Sequence, residues 1–560
     1  MTVNPVFDAL TVNGQIAAGG NVVAVVATGS STARTLQDRF AGTADVRDFG
    51  AVGNGTANDT AAFLAAISTG RTVLIPPGTY SVTGPLTITT PGQQIRGYGT
   101  NISRLIPIGS SGAGLFVCGT GEPGPDFRDF GIYYSQPDTA SRAALTVYPP
   151  TFYVLNAPRT RFSNIHIERG TIGIQFAGSG GIGSGGSYID LFECSCFGTQ
   201  IIVDQCADTM RFSRLHLWPW GLTANQQSIF TNSSTVGILT QRCDGLMVSD
   251  SLFFIGLGVI AQNSTGVLSG PTFGNFTNVG FDNYSGIVTS GAFDLTMASC
   301  YFTIGNPTSI AITNNGGTLH VSACRFFANV ALSGNRTIIQ LAATTVNSTE
   351  FVGCIFETAS SDNRAIFTAN AARLVAAGCT FNADPATAFA TARLELTSSV
   401  PAVIVGNAAS AFTTGTGLAI DSTGAAPILA GNNWQNQGMA QVALNDFSVV
   451  NQGGFNAADL SGTSGGRMFV DSGNIGWLGT SNSTGGFRSL LQWQARNNTG
   501  GLHCYVPFSF DAISVTSLPS ATNLVGCYIH VVGYSTVGVG PLAYSDGTNW
   551  RFAATNNVVS

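Results

Sequence analysis

Lysine is absent from this chain: all 23 basic residues are Arg. Glu is almost absent as well, with six residues against 23 Asp, and only 9% of the 560 residues are charged, against about 25% in an average soluble protein. Without Lys there is no Walker-type phosphate loop. A net charge of −6 leaves no basic footprint for nucleic acid. No apolar run reaches the ~18 residues of a membrane span, so no membrane insertion is expected. The opening "MTVNPVFDALTVNGQ" lacks the charged start and apolar core of a secretory signal, which points to synthesis in a cytoplasm. The eleven cysteines are odd in number and scattered, whereas a secreted disulfide scaffold is shorter and denser in Cys. Reduced, buried thiols are expected.

What remains is the vocabulary of strands and tight turns: 70 Gly and 36 Phe, with Thr, Ser, Asn and Val filling the rest. A repeat runs through it. The triplet Cys-x-Phe occurs at Cys300-Tyr301-Phe302, Cys324-Arg325-Phe326, Cys354-Ile355-Phe356 and Cys379-Thr380-Phe381, in steps of 24, 30 and 25 residues. Upstream, "RFSNIHI" from Arg161 and "RFSRLHL" from Arg211 echo each other 50 residues apart, with "SYIDLFEC" from Ser187 between them. A period near 25 with alternating apolar residues predicts one β-solenoid turn per unit. Residues i and i+2 of a strand share a face, and stacked coils lie about 4.8 Å apart. Cys should therefore stack on Cys and Phe on Phe inside the coil.

A solenoid's first coil exposes an open sheet end that must be covered. The one helical pattern near the start, about 58–68, presents Ala62, Phe63, Ala66 and Ile67 at helical spacing. With Asn58 or Asp59 as its cap, it reads as the lid, and "TVLIPPGTY" as the first strand beneath it.

These residues carry a resemblance. "DFGAVGNGTANDTAAFLAAI" followed by "TVLIPPGTY" resembles the opening of the pectate-lyase-like right-handed parallel β-helix superfamily, in the version carried by bacteriophage tailspikes. Asn58 stands where the superfamily commonly has Asp. The preceding residues 31–51 and the closing "GPLAYSDGTNWRF" are similar to phage tail proteins. The resemblance implies an all-β parallel β-helix with a short capping helix and a C-terminal β domain. It also implies a homotrimer, a place in the virion tail after synthesis in the host cytoplasm, and a host surface polysaccharide as partner. Residues 1–42 are then a segment attaching to tail or baseplate proteins, 43–440 the β-helix, and 441–560 a C-terminal domain for capping and trimerisation, opened by the linker-like 451–466. The rival readings are a non-catalytic spike or fibre and a secreted polysaccharide lyase.

The resemblance transfers no catalytic motif, so the site must be read from the residues. "GSGGIG" at 178–183 and "GTSGG" at 462–466 lack the helix that would make them a dinucleotide loop or a nucleophile elbow. Cys194, Cys196 and Cys206 lack a fourth metal ligand, and no metal or cofactor is expected. The outward face of the coils between 160 and 305 is richer. The aligned echoes put His166 over His216 and Glu168 over Trp218, two coils or roughly 10 Å apart. The coil between offers Glu193 or Asp190, according to a register the sequence leaves open. Arg169, Arg211, Arg214 and Trp220 flank the strip, and Asp282 and Tyr301 extend it. Carboxylates, imidazoles and indoles on one flat sheet suit a glycan. Hydrolysis needs two carboxyl groups, about 6.5–9.5 Å apart for inversion. Glu168 and Glu193 are the first candidates, with Asp190 and Asp282 as substitutes, and the more buried one is expected to be protonated. A lyase would instead use His166 and Arg169 around an enolate. Asp126, Asp129, Tyr133 and Tyr134 form a second candidate patch.

Overall fold

The structure, a computed structural model, describes residues 24–109, 111–119, 121–266, 272–291, 293–333, 337–344, 347–359, 363–383, 394–412, 420–425 and 427–430; beyond these it describes 432–436, 441–444, 456–457, 466–470, 475–481, 487–494, 512–514, 528–532, 542–546 and 548–552. The first 23 residues, most of the linker-like stretch 451–466, and Cys504 and Cys527 lie outside them. The chain divides into two compact units, 1–440 with 445–451, and 441–444 with 452–560.

The first unit is a coil of parallel strands. One sheet stacks Leu86–Ile88, Phe116–Cys118, Phe152–Leu155, Ile172–Ala177 and Thr199–Val203, and continues to Ile420–Ser422. The remaining strands, among them Asp126–Tyr133, Arg161–Glu168, Tyr188–Ser195 and Cys206–Leu217, stack in register beside it. From Asp126–Tyr133 onward, each is folded at a single residue of positive φ. Asp129, Asn164, Leu191, Arg214, Asp250 and Asn278 occupy this bend with φ between 49° and 61°. Ser299, Ala323, Gly353, Gly378 and Gly406 continue the column. The bend divides every such strand into a part on sheet one, before it, and a part on sheet two, after it.

The bend is what lets three faces enclose one core. In an unbroken strand, residues three apart face opposite sides. Ile189 and Phe192 flank Asp190 and Leu191, yet both point inward and are fully buried. A left-handed conformation costs about 1–2 kcal/mol for a residue with a Cβ, which the ladder pairing and burial on both sides of the corner offset.

The expected file of sulfur and rings is present. Backbone hydrogen bonds tie each cysteine carbonyl to the next coil: Arg325 N to Cys300 O (2.9 Å), Ile355 N to Cys324 O (2.9 Å), and Thr380 N to Cys354 O (2.8 Å). The rings of Phe281, Phe302, Phe326, Phe356 and Phe381 stack with centroids 4.6, 4.7, 5.0 and 4.9 Å apart, no pair tilted by more than 14°. All nine described cysteines are free and buried.

The lid forms over Thr60–Ser68, packing Ala62, Phe63, Ala66 and Ile67 against the edge strand Leu86–Ile88. Phe63 meets Tyr80 edge-on at 5.5 Å, and Gln93 Nε2 donates to the Ile67 carbonyl at 2.8 Å. Asn58 supplies a cap, accepting from Thr60 N at 3.1 Å. Asp59 turns away and accepts from Val52 N and Gly53 N, at 2.7 and 3.3 Å, fixing the preceding Gly-rich turn. Two expectations need correction. The first strand of the coil is Thr43–Asp45, paired in parallel with Thr72–Leu74, and an antiparallel pair, Ala24–Val26 with Ala33–Thr35, precedes it; three residues are too few to show a period. A later helix, Ala224–Phe230, also exists, stabilised by a capping box between Thr223 and Gln226.

In the second unit, Gly466–Val470, Ile475–Ser481 and Phe487–Gln494 form an antiparallel sheet. Leu542–Ser545 and Trp550–Phe552 form the hairpin expected at Asp546, whose carboxylate accepts from Thr548 N and Asn549 N at 2.8 and 2.7 Å. No helix among the described residues is long and apolar enough to cross a membrane.

Candidate functional site

On sheet two, the outward position two residues past the bend is Gly131, then His166, Glu193 and His216 on successive strands. The open register is thereby settled: Glu193 shares the face of His166, and Asp190 does not. His166 bridges two carboxylates, with Nδ1 2.8 Å from Glu193 Oε2 and Nε2 3.0 Å from Glu168 Oε1. Both ring nitrogens can be satisfied by carboxylates only when both carry hydrogen. Burial works against the charge on His166, but the hydrogen bonds to Glu168 and Glu193 outweigh it and push the pKa up to about 9. Burial likewise opposes the charge on Glu168, yet His166, followed by Arg169 and Arg104, holds it below the usual carboxylate range. The hydrogen bond from His166 also holds Glu193 low. The two carboxylates differ in access: Glu168 is 13% exposed and Glu193 44%.

Beneath this array the Tyr133 ring lies 5.5 Å from the imidazole and 27° off parallel. The Arg104 guanidinium sits 4.2 Å from the Tyr133 centroid, and Tyr133 Oη donates to Asn101 Oδ1 at 2.8 Å. Burial, then the Glu168 charge, push the Tyr133 phenol up to about 12. Above, burial lowers His216 from its ordinary value, so at neutral pH a neutral imidazole faces Glu193 from one side and a charged one from the other.

A wall rises beside the strip from the turn after His216. Trp218 packs on Phe254 at 4.5 Å, while Trp220 stands edge-on to His216 at 5.4 Å and remains 38% exposed. Ser195 Oγ donates to the Trp220 carbonyl at 3.0 Å. Gly221, at φ 65°, sits directly over Glu168: a Cβ there would lie 2.2 Å from Oε2. The helix Ala224–Phe230 follows, clasped by the loop 135–150. Gln226 Nε2 donates to Pro137 O (2.9 Å), and Arg142 donates to Ile229 O (3.1 Å), Thr235 Oγ1 (2.6 Å) and Phe197 O.

Asp190 lies on sheet one, around the corner. Arg214, standing at the bend, donates to it through Nε (2.8 Å) and Nη2, and Ser213 Oγ donates at 2.7 Å. The Arg214 hydrogen bond holds the Asp190 carboxyl below its ordinary range. An open groove of about 560 Å³ runs along this face, lined by Tyr188, Asp190, Arg211, Met247, Ser249 and Asn275 among others.

The structure thus gathers His166, Glu168, Glu193, Arg169, His216, Trp218 and Trp220 on one strip, and separates Asp190 with Arg214. Asp282, a substitute carboxylate, stands three strands above Glu193 and two residues further along, roughly 16 Å away and too far to pair with it. Tyr301 lies one strand higher still, its ring flat over Gly280. Glu168 and Glu193 are themselves separated by the imidazole and two hydrogen bonds, about 7–8 Å, within the inverting window; His166 fills that space. The expectation that the more buried carboxyl is the protonated one is overturned, because His166 carries the proton between two ionised neighbours. The second patch disperses: Asp126 pairs with Arg128, Asp129 accepts from Asn164 at 2.9 Å, and Tyr134 is buried against Tyr148 at 4.6 Å. Only Tyr133 joins the strip. Arg104, Gly221 and the loop 135–150 were not legible as site residues. Beyond Trp218 and Trp220, the Thr223-x-x-Gln226 box was the one local signal that could have marked the wall. Among the described residues, no group of three or more His, Cys, Asp or Glu is placed to hold a metal ion.

Residues 43–116 match the family model "Rhamnogalacturonase A/epimerase, pectate lyase-like". No curated protein matches the sequence. Among solved structures, the tailspike of E. coli bacteriophage HK620, determined in complex with a pentasaccharide, aligns over 83% of this chain and 88% of its own, at 11% identity and a TM-score of 0.53. Tailspike protein 3 of bacteriophage CBA120 aligns over 83% of this chain and 71% of its own, at 14% identity and a TM-score of 0.47. The catalytic unit of a GH87 α-1,3-glucanase from Streptomyces thermodiastaticus aligns over 75% and 71%, at 15% identity and a TM-score of 0.44. The chain is therefore a right-handed parallel β-helix protein that is similar to a pectate-lyase-like family over residues 43–116 and shares its fold with the HK620 tailspike.

Proposed function

We propose that this protein is a phage tailspike that binds a bacterial surface polysaccharide and hydrolyses it at the strip around Glu193. The observation that carries the reading is the His166 array: an accessible carboxylate held at one oxygen by a protonated imidazole, beside an exposed indole, on the flat face of a β-helix. In the cleavage step the proton held by His166 passes through Glu193 to the leaving glycosidic oxygen as the anomeric C–O bond breaks, a water oxygen bonds to that carbon, and the proton the water sheds returns through Glu193 to His166. His166 is the proton store behind it, and Glu168 balances the imidazolium from the buried side. Trp220 offers an edge and part of a face on which a sugar ring can stack. Hydrolysis is favoured over elimination because both cations an enolate could use are engaged by carboxylates: His166 lies between Glu168 and Glu193, and Arg169 Nη2 is 3.4 Å from Glu168. Assembly as a homotrimer, with the N-terminal segment attached to tail or baseplate proteins in the virion, belongs to the same proposal.

Incubating the purified chain with capsule or O-antigen preparations should release new reducing ends without ultraviolet-absorbing unsaturated products, and Glu193→Gln should abolish the release. Unsaturated products would replace hydrolysis by elimination. Binding without any cleavage would favour the second reading, a non-catalytic receptor-binding spike, for which the groove along sheet one is the supporting feature.

A further inference from the structure

We propose that the groove on sheet one is a separate subsite for negatively charged sugar residues, so that the glycan bound by this protein is acidic; this rests on the glycan-binding reading above. The argument starts from two arginines. Arg161, Tyr188 and Arg211 occupy the same outward position on three successive strands. The two guanidiniums lie on the Tyr188 ring, each 5.5 Å from its centroid, and Arg211 Nη1 is 3.4 Å from the Tyr188 hydroxyl. In a chain where Arg34, Arg96, Arg128, Arg159, Arg214 and Arg325 each meet a carboxylate, Arg161 and Arg211 spend their charge on an aromatic ring and solvent.

The carboxylates nearby do not cancel that charge. Asp190 lines the groove but is bound by Arg214 and Ser213, and Asp126, one strand below Arg161, is held by Arg128. Asp250, which accepts from the neutral Asn278 at 2.7 Å, and Asp208 keep their charge, but each stands three residues along the strand from the Arg211 position, about 10 Å away. The Tyr188 end of the groove is therefore positive in a protein of net charge −6. Arg161 and Arg211 are two strand spacings apart, about 10 Å, the reach of a disaccharide repeat. A guanidinium beside an aromatic ring, with no carboxylate partner, keeps donors for a carboxylate or a phosphodiester. Met247 and the hydroxyl and amide groups of Ser213, Ser249 and Asn275 continue the floor, an apolar and hydrogen-bonding lining suited to the neutral residues between two charged ones.

The test is a binding titration of the full chain with three probes: an α-linked sialic-acid hexamer, a glycerol-phosphate-linked oligosaccharide and neutral maltohexaose. One anionic probe should bind at least tenfold more tightly than maltohexaose, and its affinity should fall as salt rises from 50 to 300 mM. Which probe it is tells a carboxylate from a phosphodiester. Arg161→Gln and Arg211→Gln should each weaken it about tenfold, while Tyr188→Phe, which keeps the ring, retains it. Equal binding of all three probes, binding of none, or indifference to salt overturns the proposal, and the salt series on the unmodified chain needs no variant to fold. The two readings fail separately. Cleavage of a polysaccharide with no anion preference removes the subsite alone, and anion binding without cleavage of any polysaccharide removes the hydrolase alone.

Discussion

Replacing Glu168 by Gln isolates the electrostatics of the strip, because it removes one negative charge and keeps an acceptor oxygen for His166 Nε2. The His166 pKa stands at about 9 against an ordinary 6.5, so the folded state holds this proton more tightly than the unfolded chain by about 3 kcal/mol. The sign follows from linkage. That stabilisation is complete below about pH 6.5 and is lost as the pH rises through about 9. Two carboxylates share the effect at 2.8 and 3.0 Å, and Glu168 is the better shielded of the two. Its neutralisation should lower the His166 pKa by about one pH unit and remove roughly 1–2 kcal/mol of the stability that disappears at alkaline pH. The assay is an NMR titration of the chain labelled at its five histidines, with the His166 signal assigned by its loss in His166→Gln. Denaturation midpoints at pH 6 and pH 10 run in parallel. A His166 titrating near 6.5 in the unmodified protein, or unmoved in Glu168→Gln, would refute the reasoning.

Three further outcomes are expected. Gly221→Ala places a methyl against the Glu168 carboxylate at a backbone angle of φ 65°; it should displace Glu168, lower the His166 pKa in the same titration and reduce glycan cleavage, while circular dichroism stays unchanged. Phe326→Ala removes a fully buried ring stacked between Phe302 and Phe356 and should cost about 3–5 kcal/mol in denaturant unfolding. Arg142→Ala deletes the guanidinium that ties the loop 135–150 to Ile229 and Thr235; limited proteolysis should then cut that loop faster, with the remainder of the coil as resistant as before.

Local signals were legible where one residue type must recur at one place. Cys300, Cys324, Cys354 and Cys379 stack because each sits just after a bend and faces inward, so the same small apolar side chain fits every time. The lid was legible because Ala62, Phe63, Ala66 and Ile67 repeat at helical spacing in a chain otherwise short of helix formers. Of the wall beside the site, only Trp218 and Trp220 were legible. Arg142 reaches Ile229 and Thr235, and Thr223 meets Asp138, across three coils, and no period relates an insertion on one corner to another. Tyr133 and Asp126 are neighbours in sequence, which alone suggests one patch, yet the bend at Asp129 sends them to different faces.

The amino-acid sequence by itself determined the solenoid, its inner file of sulfurs and rings, and the helix over its open end, since each follows from spacing along one strand or one helical turn. Only the tertiary structure decided that Glu193 and not Asp190 meets His166. The two acids are separated by a corner at Leu191, and the residue holding that corner changes from coil to coil through Asp, Asn, Leu, Arg, Ser, Ala and Gly. Leu and Arg announce no left-handed turn, because the stacked hydrogen bonds of the neighbouring coils impose it on them; the face on which each carboxylate emerges is therefore fixed by the stack.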